Sequence, residues 1–133
     1  MRELLFRGQQ RKKGEKVYLD GSPVDSLWFY GNGVFQCENS SIIYQREPDF
    51  DKHSVYSDTI GQYTGLTDKN GNKIFEGDIV WSDYEEERGI VQWDNDMAKF
   101  IITFSTFTVD FDSIYGGKLE IIGNIYDDHE LLK

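Results

Sequence analysis

The fold class follows most directly from residues 62–80, which read QYTGLTDKNGNKIFEGDIV. Gly65, Gly71 and Gly77 punctuate this stretch, and Asn70-Gly71 has the composition of a tight turn because both residues tolerate positive φ. The run EGDIV at residues 76–80 then begins an apolar alternation, which is typical of a β-strand. We therefore predict a turn-rich loop that leads into the first strand of a small barrel-like domain.

The residues that follow continue the same alternation of apolar and polar side chains. A charged tip at residues 84–88 (YEEER) separates two alternating runs, which predicts a hairpin. The Gly-Asp start, the charged hairpin and the returning strand together resemble an SH3-like barrel. Near the C-terminus, Asp127 and Glu130 have the spacing of a capping box and predict a short helical turn.

Three other breaks in the alternation indicate turns or loops. Residues 31–33 (GNG) separate two aromatic runs and have the composition of a hairpin turn. Residues 46–54 (REPDFDKHS) are polar and have no period, so we predict a loop and a boundary between two halves of the chain. The alternation slips by one residue at Ser105-Thr106, which predicts a bulge or a corner.

Together these patterns predict a mainly β fold in one compact domain spanning residues 1–133, a length typical of a single domain. We expect an N-terminal β subregion with extra strands at about residues 1–60. We expect a small, SH3-like, partly closed barrel at about residues 61–133, followed by the short C-terminal helical turn.

Charge is distributed unevenly along the chain. The net charge is −10, and an acidic body repels phosphate backbones, so we expect no general binding of DNA or RNA. The exception is a basic N-terminal arm that could contact nucleic acid. Its six basic residues are Arg2, Arg7, Arg11, Lys12, Lys13 and Lys16.

The cysteine content and hydropathy indicate a cytoplasmic protein that does not enter the membrane. Cys37 is the single cysteine, so no disulfide can form within the chain, which fits a reducing compartment. Its position at the end of an aromatic run favours a packed, inert thiol. No apolar run approaches the roughly 18 residues that a membrane-spanning helix needs.

None of the candidate catalytic or metal-binding patterns is complete. Asp68 begins a run that resembles a calcium loop, but Lys73 and Ile79 occupy the positions that require Gly and Glu. The histidines, His53 and His129, are too few and too widely separated to form a zinc site with one cysteine. We therefore predict no catalytic, metal or cofactor-binding residues, no cofactor, and a protein that is not an enzyme.

Three segments resemble the signature blocks of the YopX family of phage and prophage proteins. They are MRELLFRG at residues 1–8, the stretch at residues 62–80 quoted above, and IIGNIYDDHELL at residues 121–132. The resemblance implies a mainly β, cytoplasmic protein that is encoded by a phage or prophage and acts in the bacterial host cell. It implies no catalytic residues, because the family carries no assigned activity.

The leading functional hypothesis is a non-catalytic protein-interaction module that binds a host or phage protein. One alternative is a nucleic-acid-associated protein that uses the basic arm, and another is a DNA mimic that uses its acidic surface to block host machinery. Homo-oligomerisation is also open, because small β domains often cover exposed strand edges by pairing.

Overall fold

Antiparallel strands make up most of the residues that the structure describes, in agreement with the period-two apolar pattern of the sequence. A computed structural model describes residues 3–10, 18–19, 22–23, 28–45, 51–112 and 117–132. The fold is mainly β, as predicted, and it divides into two compact units, Met1–Gln62 and Tyr63–Lys133. The chain passes from one unit to the next within a single strand, β8 (Gly61–Thr67). That both units form one domain stays a prediction.

The first unit contains two small sheets and a two-stranded hairpin. In the first sheet β1 (Phe6–Gln9) lies between β4 (Trp28–Gly31) and the start of β8. The second sheet has the order β5-β6-β7, with β5 at Gly33–Phe35, β6 at Ser40–Gln45 and β7 at Asp51–Tyr56. The hairpin pairs β2 (Tyr18–Leu19) with β3 (Ser22–Pro23), and a 3₁₀ turn spans Ser57–Thr59.

The predicted hairpin at residues 31–33 is wrong. The strands on its two sides do not pair with each other, because β4 pairs with β1 and β5 pairs with β6. Gly31 has no positive φ, and a Cβ added to it would collide with the carbonyl oxygen of Tyr44. Close approach to β6, and not turn geometry, is therefore what requires glycine at this position.

The predicted loop at residues 46–54 is also wrong in part. Residues 46–50 lie outside the described residues, but Asp51 to Ser54 belong to β7 and pair with β6. Because β7 is at the edge of its sheet, its polar side chains can point into solvent while Val55 is buried. Polarity alone therefore did not indicate a loop.

The second unit is built on a five-stranded sheet with the order β13-β12-β11-β10-β14. These strands are β10 (Asp78–Ser82), β11 (Glu87–Asp94), β12 (Lys99–Thr103), β13 (Thr108–Asp110) and β14 (Leu119–Asn124). The end of β8 pairs with the short strand β9 (Lys73–Phe75). A 3₁₀ turn at His129–Leu132 follows β14 and confirms the predicted C-terminal helical turn.

One face of the five-stranded sheet forms the core of the second unit. The fully or almost fully buried cluster consists of Ile74, Val80, Val91, Ile102, Phe104 and Leu119. Five of these side chains come from β9, β10, β11, β12 and β14, and Phe104 directly follows β12. Those in the sheet meet because alternate residues of a strand point to the same face. The described strands are not closed into a barrel, and the SH3-like likeness stays a prediction.

The slip in alternation at Ser105-Thr106 is a hairpin turn and not a bulge or a corner. Thr103 of β12 pairs with Thr108 of β13, and the Phe104 N–H donates to the Phe107 carbonyl at 2.8 Å. A bulge occurs instead in β14, where the partners of consecutive β10 residues are Gly123 and Ile121. Ile122 is the extra residue between them.

Candidate functional site

Arg7 is the one member of the predicted basic arm within the described residues. It lies on β1, its side chain is buried, and its guanidinium lies 4.4 Å from the centre of the Trp28 ring. That geometry is a cation–π contact within the first unit. Arg2, Arg11, Lys12, Lys13 and Lys16 are outside the described residues, and nucleic-acid binding by the arm stays a prediction.

Cys37 is exposed, so the prediction of a packed thiol is wrong. The strand β5 ends at Phe35, two residues earlier, and the backbone of Cys37 is instead held by hydroxyl groups. Its N–H donates to Ser41 Oγ at 3.0 Å, and its carbonyl accepts from Ser57 Oγ at 2.6 Å.

His53 lies on β7, where its ring stacks on Phe29 with 3.9 Å between centroids.

Asp68 is the first residue of the run that resembles a calcium loop. Its carboxylate accepts hydrogen bonds from three backbone N–H groups. Oδ1 accepts from Asn70 at 3.0 Å and from Asn72 at 2.9 Å, and Oδ2 accepts from Ile121 at 3.0 Å. The Gly71 N–H also donates to the Asp68 carbonyl at 3.0 Å, which closes the tight turn, and Gly71 has a φ of 83°. The side chain of Asp68 therefore holds the turn together and ties it to β14.

Electrostatics keep Asp68 ionised within this turn. Burial raises the pKa of Asp68, whereas hydrogen bonds from the backbone of Ile121, Asn72 and Asn70 lower it. The hydrogen bonds outweigh burial, and the pKa lies below the ordinary value for aspartate. Across the part of the chain that the structure describes, no group of three or more potential ligand residues could hold a metal ion.

Gly77 joins the stretch at residues 62–80 to the C-terminal segment. Its N–H donates to the Val91 carbonyl at 2.8 Å, and its carbonyl accepts from Ile125 at 2.9 Å. Its φ is 93°, and a Cβ added to it would lie 2.8 Å from the ring of Tyr126. The next residue, Asp78, accepts the Phe75 N–H at 2.8 Å. Hydrogen bonds thus join residues 62–80 to the C-terminal segment at residues 121–132. We call these two joined segments the frame.

A groove of about 490 Å³ lies in the second unit, and it is lined by outward-facing strand residues together with Phe104 of the buried cluster. Its floor follows from strand alternation: Val80, Val91 and Ile102 point into the core, so the residues beside them point outward. Those neighbours are Trp81, Ile90 and Thr103, and all three line the groove. In the register, Ile90 is directly opposite Thr103, and Trp81 is directly opposite Arg88.

The walls of the groove are attached to two consecutive residues of β11. Arg88 Nη1 donates to the carbonyl oxygen of Leu131 at 2.5 Å and so fixes the C-terminal 3₁₀ turn, which contributes Leu131 and Leu132. Glu87 Oε1 accepts from both the N–H and the Oγ of Ser105, each at 3.0 Å. These contacts hold the turn between β12 and β13 beside the groove.

The groove was not among the sites expected from the sequence. The charged tip and the alternating strands did predict the hairpin that carries Trp81 and Arg88. The position of Leu131 beside Arg88 depends on a contact between residues 43 positions apart, which no local pattern contains.

Among the described residues, no helix has the length and apolarity that a membrane span requires.

Fold and site together define a mainly β, antiparallel protein with an open, partly apolar groove on one sheet. The family model for YopX, described as YopX protein, matches residues 6–133. The chain therefore belongs to the YopX family, a family of phage-type proteins of unknown function, as the resemblance of its three segments predicts. A comparison with curated proteins finds no match.

Proposed function

We propose that this protein is a non-catalytic protein-interaction module that binds a segment of a host or phage protein in the groove of its second unit. The observation that carries the proposal is the open groove floored by Trp81 and Ile90 and bordered by Leu131 and Leu132. Its volume of about 490 Å³ lies within the range of roughly 300–1,000 Å³ that is usual for binding pockets.

The composition of the groove supports this proposal. Binding energy at interfaces is concentrated in a few residues, most often Trp, Tyr and Arg, which lie centrally and are surrounded by polar groups. Trp81 and Arg88 are cross-strand neighbours here, and Thr103, Ser105 and Glu86 supply polar atoms around the apolar surface. Leu132 is 45% exposed, so apolar surface is available to a partner.

A random peptide library selected against the full-length protein tests this proposal. The groove variant combines Ile90→Thr, which retains a β-branched side chain in the strand, with Leu132→Ser at an exposed position. The matched control is Met97→Ser, which removes an apolar side chain that is 63% exposed and lies outside the groove.

We expect selected peptides to bind the groove variant at least about tenfold more weakly than the wild type and to bind the control unchanged. Urea unfolding of each variant verifies that the second unit is still folded. Selected peptides that bind the wild type and the folded groove variant equally would overturn the proposal. Failure to select any peptide, with a DNA duplex shifted in a gel at low salt, would favour the nucleic-acid alternative instead.

A further inference from the structure

The charge around the groove is mostly negative. Glu85 and Glu86 lie at the tip of the hairpin between β10 and β11, and Glu87 and Arg88 are the first two residues of β11. Glu86 lines the groove and is exposed, and within the described residues its carboxylate forms no ion pair. Glu130, also exposed, directly precedes the two leucines of the groove.

The positive charge in the groove has a local partner. Arg88 directs Nη1 to the Leu131 carbonyl, so this guanidinium already holds part of the groove in place. An acidic ligand could reach the other N–H groups of Arg88 only by approaching Glu86 and Glu87, which line the same groove. A basic ligand meets exposed carboxylates, and the net charge of −10 attracts it from a distance.

We propose that the groove takes a short, extended segment of a partner protein in which large apolar side chains are flanked by lysine or arginine. This inference rests on the function proposed above and specifies the chemistry of the ligand. The apolar side chains lie against Trp81, Ile90 and Leu132, and the flanking cations lie beside Glu86. Nucleic acid fits the same surface poorly, because its phosphates would meet Glu86 and Glu87, which line the groove.

Salt dependence follows from this arrangement. Charges at the rim of an interface act mainly on the association rate, and they are screened beyond about 8 Å at physiological ionic strength. The apolar contacts at the floor are not screened in this way. Raising the salt concentration is therefore expected to lower the affinity for the ligand only partly. The affinity that is left at high salt comes from the apolar contacts at the floor of the groove.

Three synthetic peptides of about eight residues, a length of roughly 26 Å when extended, test the ligand chemistry against the full-length protein. One alternates leucine with lysine, one alternates leucine with glutamate, and one alternates serine with lysine. Isothermal titration calorimetry measures each affinity, and amide chemical shifts locate the binding site. We expect the leucine–lysine peptide to bind in the groove at least about tenfold more tightly than either of the others.

Charge reversal tests the role of the rim. Glu86→Lys is expected to lower the affinity of the protein for the leucine–lysine peptide by about fivefold or more, and to reduce the salt dependence of that affinity. Asp96→Lys is the matched control, because it changes the net charge by the same amount at an exposed position outside the groove. We expect that control to change the affinity by less than about twofold.

The outcomes separate this inference from the function on which it rests. If the leucine–glutamate peptide binds the groove as tightly as the leucine–lysine peptide, the charge assignment is overturned while the interaction function stands. Equal effects of Glu86→Lys and Asp96→Lys would overturn it too, because the attraction would then belong to the whole protein. If no peptide, synthetic or selected, requires the groove residues, the proposed function itself fails.

Discussion

Asp68→Asn is the substitution whose effect follows most directly from the structure. The carboxylate is buried, and its two oxygens accept N–H groups from Asn70, Asn72 and Ile121. An asparagine at this position has one oxygen and one NH₂ group. Its oxygen can retain the two N–H groups of the turn, but its NH₂ then faces the Ile121 N–H, and two donors cannot bond to each other.

The size of the effect can be estimated from these three hydrogen bonds. A hydrogen bond to a charged group contributes about 1.5–3 kcal/mol, against about 0.5–1.5 kcal/mol for a neutral one. Asp68→Asn removes one charged bond and converts two others to neutral bonds. We therefore expect the free energy of unfolding of the second unit to fall by about 3–5 kcal/mol. This loss is a large fraction of the roughly 5–15 kcal/mol typical of folded domains.

The same carboxylate makes the effect depend on pH. Because the pKa of Asp68 is lower in the folded protein than its ordinary value of 3.8, its contribution to stability is fully present above that value. The contribution is lost as the pH falls through the folded pKa, since protonation then removes the charge from the wild type as well. The difference between the wild type and Asp68→Asn should accordingly be constant near neutral pH and narrow below about pH 4.

Urea unfolding followed by tryptophan fluorescence, at several pH values from 7 down to about 3, measures this difference. Asp83→Asn is the control, because Asp83 forms an exposed ion pair with Lys69 at 3.1 Å, and its loss should matter much less. The reasoning is refuted if Asp68→Asn is within about 1 kcal/mol of the wild type at pH 7. It is also refuted if a larger difference does not narrow in acid.

Two glycine substitutions give further predictions. Gly77→Ala should lower the free energy of unfolding by about 3 kcal/mol or more, because it combines a φ of 93° with a Cβ placed 2.8 Å from the Tyr126 ring; a loss below about 1 kcal/mol in urea unfolding would contradict this. Gly71→Val should cost less, about 1–2 kcal/mol, because φ is 83° but no atom lies within 4 Å of the added Cβ. If this Gly71 variant kept its unfolding midpoint and lost only partner binding, the turn would have to be a contact site.

Local sequence patterns predicted the parts of the fold that form between neighbours in the chain. The hairpin around residues 84–88 agrees with the alternation and turn composition of the sequence. Residues 31–33 show where this reasoning stops. Their composition permits a hairpin turn, but strand pairing is decided by contacts that turn composition does not encode, and both flanking strands found other partners.

The candidate site could not be predicted because its contacts join residues far apart in the chain. The Arg88 contact with Leu131 spans 43 positions, and the Asp68 contact with Ile121 spans 53. The apolar pattern also gave a wrong prediction at Cys37. An aromatic run suggested that the thiol is buried, but the strand ends two residues before it and the thiol is exposed. Local patterns describe which face of a strand is apolar, but not which distant element covers it.

The segments that identify the family and the groove that we propose as the binding site are largely different residues. Asp68 and Gly77 bind the stretch at residues 62–80 to β14 and the C-terminal segment, so those segments preserve the frame. The floor of the groove and its charged rim come from residues 81–105, which lie outside the three recognisable segments. If the groove is the binding site that we propose, a substitution at Glu86 is therefore expected to change the preferred ligand without disturbing the frame.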